Sequence, residues 1–178
     1  MASIKGITIK NIVDFKGHEG ESLTQCDVYY KGKKVAFFSQ DSWGGEDRLD
    51  FDYKLSFEKR QELERLFKEK AQEFLNDRLT KGERVEFYQD HKEMYDVGTM
   101  ILDLAELKDI EKMYKKILKQ GKNCLLAYTK ADGWTLGILG WNRDIVKDTE
   151  LDLMLAQKKI QKNQVKYFIK DLADFEIK

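Results

Sequence analysis

The chain has 178 residues, with 32 basic and 32 acidic side chains, a formal net charge of zero, 42% hydrophobic and 12% aromatic residues. This balance supplies a real core under a solvated surface, and excludes a disordered chain. No apolar run reaches the length of a membrane span, and residues 1–10 hold no apolar stretch ahead of a cleavage site; the expectation is a cytoplasmic chain with no membrane segment and no signal peptide.

Two cysteines, Cys26 and Cys124, are too few and too far apart for a disulfide scaffold and read as small core hydrophobes. The chain has no proline. In chain order, the alternation and β-branched residues of 4–11 predict strand structure. Residues 15–21 read as a loop around Gly17 and Gly20. Residues 26–30 and 34–39 read as the arms of a hairpin turning at Lys31-Gly32-Lys33. Residues 40–52 carry Asp41, Glu46, Asp47, Asp50 and Asp52 against Arg48 alone, and read as a loop or a short irregular strand.

Ser56 is a candidate N-cap. From there Phe57, Leu63, Leu66, Phe67, Ala71, Phe74 and Leu75 recur at spacings of three and four, predicting a helix over 57–79. Residues 85–88 read as a short strand and 89–98 as a polar, aromatic connection. Leu104, Leu107, Ile110, Met113, Tyr114, Ile117 and Leu118 predict a second helix over 104–120, stopped by Gly121. Residues 123–129 and 134–140 read as a hairpin turning at Asp132-Gly133. The tail reads as a helical stretch over 151–160, a strand over 164–169 and a last edge at Phe175 and Ile177. Residues 9–15 echo 169–175 at four of seven positions, which is too short for a repeat and reads first as chance, with two edge strands running into loops as the alternative.

The fold class expected is therefore α+β, with two main helices packed against antiparallel β-structure contributed by both ends of the chain. The organisation reads as a β-rich part over 1–55, a mainly helical part over 56–122 and a mixed β part over 123–178, with one compact domain as the alternative.

Charge is divided along the chain. Residues 1–107 carry 17 basic and 22 acidic side chains, and residues 108–178 carry 15 and 10. Lys108, Lys112, Lys115, Lys119 and Lys122 step by four, three, four and three, which places them on one helical face. Two readings are open: a solvated face answered by acids elsewhere, or a docking face for an anionic partner. With six arginines in the chain, such a face suits salt-dependent backbone contacts to nucleic acid better than base reading. The acidic stretch is the mirror signal. Asp41, Glu46, Asp47 and Asp50 surround Trp43 and Gly44-Gly45, either as a polar loop with Trp43 folded onto the core or as a binding patch with Trp43 as its aromatic anchor. As a calcium loop it fails, because the third position is Trp43.

No catalytic constellation emerges. His18 and His91 belong to no zinc-binding pair, and phosphate-loop, dinucleotide and nucleophile-elbow patterns are missing. A Cys124–His91 pair and a metal-nuclease cluster of Asp90, Glu93, Asp96 and Asp103 beside His91 and Lys92 are the catalytic alternatives weighed. The expectation is a non-enzyme with no cofactor and no metal.

The stretch Cys26-Asp27-Val28-Tyr29-Tyr30-Lys31-Gly32-Lys33-Lys34-Val35-Ala36-Phe37-Phe38, followed by Asp41 and Gly44-Gly45, resembles the opening of small accessory proteins from phages and mobile elements of Gram-positive bacteria. That group includes inhibitors of host defence nucleases, anti-CRISPR proteins among them. The resemblance covers residues 7–52 and carries over no active-site residue. It implies a non-catalytic protein that binds a host protein, a defence nuclease or its nucleic-acid complex, and acts by steric or electrostatic block. A nucleic-acid-binding accessory protein using the lysine faces and a metal-dependent nuclease are the alternatives.

Overall fold

The computed structural model describes residues 1–80, 88, 90–130, 136–142, 155, 158–161 and 164–178. Strands β1 (Ser3–Ile4), β2 (Ile7–Lys16), β3 (Ser22–Tyr30), β4 (Lys33–Ser39) and β5 (Arg48–Phe51) precede helix α1 (Phe57–Thr80). A 3₁₀ turn (Lys92–Met94) leads into helix α2 (Val97–Lys119). Strands β6 (Cys124–Thr129), β7 (Leu136–Trp141) and β8 (Val165–Ile169), a 3₁₀ turn (Leu172–Phe175) and β9 (Glu176–Ile177) follow.

The fold is α+β. The first sheet has the order β5-β4-β3-β2-β1-β9, antiparallel except for the parallel pair of β1 and β9, so both ends of the chain close the same edge. The second sheet is antiparallel, in the order β7-β6-β8. The β3–β4 hairpin turns at Lys31-Gly32, both with positive φ (49° and 76°), the backbone that a two-residue turn needs to match strand twist. Register slips in β2 between Lys10 and Val13, where Asn11 takes φ 52° and donates through Nδ2 to Asp27 at 2.7 Å. Asparagine tolerates that left-handed backbone, so the bulge sits where the side chain permits it.

Strand alternation sends Ile7 and Ile9 of β2, Cys26 and Val28 of β3 and Phe38 of β4 to the helix side, where they are buried. Phe67 of α1 meets the rings of Tyr30 and Phe51 at 5.8 and 6.1 Å. On α2, Ile101, Leu104, Leu107, Ile110 and Tyr114 are buried and belong to the same core as Leu125, Ala127 and Ile169 of the second sheet. Tyr114 packs on Phe175 at 5.7 Å, and its hydroxyl shares its proton between the carbonyls of Asn123 and Lys170 at 2.8 and 3.0 Å.

Several boundaries move from the sequence reading. Helix α2 starts at Val97, seven residues before the expected 104, because Asp96 caps it by accepting from the Thr99 amide at 2.8 Å. Met100 and Ile101 carry the apolar stripe back into that first turn. Met113 and Leu118, read as buried, are exposed, since the stripe rotates about the helix while the core follows one side. Phe57 is exposed for a different reason: it opens α1 before the helix reaches the sheet. Strand β2 runs on through Phe15 to Lys16, leaving 17–21 as the loop. The echo between 9–15 and 169–175 is not structural, because the first copy is an inner strand and the second turns into a 3₁₀ helix. The expected strand over 85–88, the turn at Asp132-Gly133 and most of the expected helix over 151–160 lie outside the described residues.

Phe67 has no exposed surface and bridges helix and sheet. Phe67→Ala is expected to cost about 3–5 kcal/mol in urea unfolding.

Candidate functional site

The loop between β4 and β5 projects from one end of the first sheet. It is built by a local turn: the Asp41 carboxylate accepts from the Trp43 amide at 2.7 Å, and Gly44 follows with φ 80°, which a side chain would strain. The turn lifts Trp43 off the sheet, leaving it 77% exposed. Trp43 stacks on His18 from the β2–β3 loop at 4.2 Å between ring centroids, and the His18 amide donates to the Ser42 carbonyl at 2.9 Å. The reading of Trp43 as a core residue is therefore corrected: the turn directs it outward, and His18 covers one of its faces.

The other acids are dispersed along the loop and β5. Glu46 is exposed. Asp50 lies across from Phe37 on β5 and points to the open side of the sheet. Asp47 reaches the first turn of α2, where its Oδ2 lies 3.0 Å from where a Cβ on Gly98 would sit. Glycine at 98 thus makes room for the loop to touch the helix. Burial there, and then the charge of Asp96, push the Asp47 carboxyl up, and a hydrogen bond from Gln40 offsets part of this. Asp47 and Asp96 also line a cleft of about 340 Å³ with Phe38, Leu49, Phe51 and Val97 between β5 and the helices.

The lysine face is less uniform than its spacing suggests. Lys112 pairs with Asp109 at 2.8 Å and Lys115 with Glu111 at 2.7 Å, both on α2 itself. Lys108 is half-buried, and that burial pushes its ammonium down despite the nearby Glu111. Lys119 is exposed at the end of the helix, and Lys122 lies beyond it, its amide bonded to the Ile117 carbonyl at 3.2 Å. Glu111 is buried. Its burial acts to raise its pKa, but bonds from Lys115 and the Ala2 amide, with the charges of Lys115 and the N-terminus, hold it below the ordinary range.

A second charged group, invisible in the sequence pattern, lies inside the fold. Asp103 of α2 accepts from Arg78 of α1 at 2.7 Å and from the Tyr95 hydroxyl at 2.6 Å, with Lys166 of β8 at 3.5 Å. Lys166 also meets Glu106 at 2.7 Å. Among the described residues, two cations here face two carboxylates. Burial and then the Asp103 charge push the Tyr95 phenol far up, so it stays a proton donor. Arg78 and Lys166 also line a cavity of about 400 Å³ with Asp77 and Asp174. Lys5 occupies Asp77, and the amides of Lys170 and Asp171 occupy Asp174.

The residues weighed for catalysis have these places in the fold. Asp96 is a helix cap and Asp103 an ion-pair hub, while His91 and Glu93 are surface neighbours at 3.8 Å. Cys124 is buried in β6, whereas His91 is on the surface. Among the described residues, no three His, Cys, Asp or Glu side chains gather as a metal site would require. No helix among them is long and apolar enough to cross a membrane.

No protein-family model matches the chain, and no curated protein and no solved structure matches it either.

Two measurements follow. The folded pKa of Asp47 is raised, so its ionisation opposes folding, and stability is gained as pH falls through the raised value. A carboxyl NMR titration is expected to place Asp47 above the usual aspartate range of about 3.9. Asp96→Asn, which keeps the cap, is expected to lower that value without abolishing the part due to burial. On the lysine face, Lys119→Glu and Lys122→Glu are expected to leave the urea midpoint within about 0.5 kcal/mol. Lys115→Glu, which sets a like charge on buried Glu111, is expected to cost clearly more.

Proposed function

We propose that this protein is a non-catalytic binding protein whose β4–β5 loop docks on a basic surface of a host macromolecule, such as the nucleic-acid channel of a bacterial defence nuclease, in the bacterial cytoplasm. The observation that carries the reading is Trp43, held 77% exposed against His18 by the Asp41 turn, on a loop that also carries Glu46 and Asp47. A large exposed aromatic on a preorganised loop contributes buried area at little entropic cost, the usual character of an interface hot spot. Asp41, Glu46, Asp47 and Asp50 supply the field that steers a basic partner and fixes its orientation. Inhibition then follows from occupying the channel that substrate nucleic acid would enter. The resemblance of residues 7–52 to accessory proteins of phages and mobile elements agrees with this role.

The lysine face is the weaker candidate surface. Lys112 and Lys115 are already engaged by acids of the same helix, which reduces the charge available to a phosphate backbone.

The test pairs binding with folding. The protein and its Trp43→Ala variant serve as baits in parallel, and a nuclease captured by the parent is purified for binding kinetics and cleavage assays. Trp43→Ala is expected to lose about 2 kcal/mol or more of binding and the matching share of inhibition. Its urea midpoint is expected to stay within about 0.5 kcal/mol of the parent, because the side chain is not in the core. Asn and Gln in place of the four acids are expected mainly to slow association and flatten its salt dependence. A Trp43→Ala variant that binds as tightly as the parent would overturn the proposal.

A further inference from the structure

Strand β5 ends the first sheet: it pairs with β4, and among the described residues no strand lies on its other side. An edge strand offers a row of backbone donors and acceptors to another strand. Its sequence is Arg48-Leu49-Asp50-Phe51, and the order of charges decides which strand fits.

Arg48 and Asp50 are two positions apart, so they share one face, and both are exposed. Leu49 and Phe51 take the other face and pack on the core. A second copy of β5 laid antiparallel, with Leu49 facing Leu49, puts Arg48 of each copy across from Asp50 of the other. Two opposite-charge cross-strand pairs then form on the open face, while two leucines meet on the core side. The strand is complementary to itself, which is the requirement of a two-fold interface. The flanks add apolar surface. Tyr53 and Phe57, 81% and 69% exposed, stand just beyond the C-terminal end of β5.

We infer that the protein forms a symmetric dimer through β5, joining two six-stranded sheets into one continuous sheet. A short strand used up by two-fold pairing leaves no free edge there for open-ended assembly. This surface shares Asp50 with the acids proposed to steer the target but not its anchor, since Trp43 stacks on His18 of the β2–β3 loop.

Sedimentation equilibrium of the full chain over a concentration series tests the pairing. The parent is expected to dimerise. Arg48→Asp sets acids against acids, and Asp50→Arg sets arginines against arginines; each alone is expected to weaken self-association by at least about tenfold. An equimolar mixture of the two is expected to recover the dimer, because each chain then meets its opposite, and the double variant R48D/D50R is expected to recover it as well. Circular dichroism melts check that each variant is folded, as exposed positions allow. Trp43→Ala is expected to dimerise like the parent, which separates this outcome from that of target binding. A parent that stays monomeric throughout, single variants that associate as the parent does, or a mixture that stays monomeric would each overturn the inference.

Discussion

The partly buried carboxylate of Asp103 is the constraint on which the rest of the structure depends. It draws Arg78 from α1, Tyr95 from the connection before α2 and Lys166 from β8 to one point, so it ties both helices to the second sheet. An ionised carboxylate taken out of water is costly unless it is paired and hydrogen-bonded, and breaking such a pair costs about 3–5 kcal/mol. The ion pairs are directional where the surrounding leucines and isoleucines are not. Apolar packing holds α1 and α2 against the sheets, and the charged group joins α1, α2 and β8 at one point.

Asp96, which caps α2, and Asp47, which touches Gly98, lie at the N-terminal end of the helix, while Lys116 and Lys119 lie in its last turn. Acids at the start and lysines at the end complement the helix dipole. At 1.5 Å per residue the two ends are roughly 30 Å apart. The division of charge along the chain is thus partly a property of one long helix.

The loop that carries Trp43 is stiffened from two sides. The Asp41 turn and the His18 stack hold its first half, and the contact of Asp47 with α2 holds its second. A loop already in one conformation loses little entropy when a partner covers it. The same contact sets the Asp47 carboxylate near the charge of Asp96, which together with its own desolvation pushes the Asp47 carboxyl up.

Much of this was legible in the sequence, because much of it is local. The periodicity of 57–79, the Ser56 cap, the Lys31-Gly32 turn and the hairpin around it each depend on residues within a few positions of one another, and local sterics and burial patterns write them directly into the chain. The acids and Trp43 were legible as a group for the same reason. What the tertiary structure alone decided involves partners brought from elsewhere. Whether Trp43 faced the core or solvent depended on the Asp41 turn and on His18, 25 residues earlier in the chain. Which lysines carried free charge depended on the buried position of Glu111, and the Arg78–Asp103–Lys166 group joins residues from three separate elements. Charge pairing in the interior is set by desolvation and geometry after the elements have met, and no spacing along the chain encodes it.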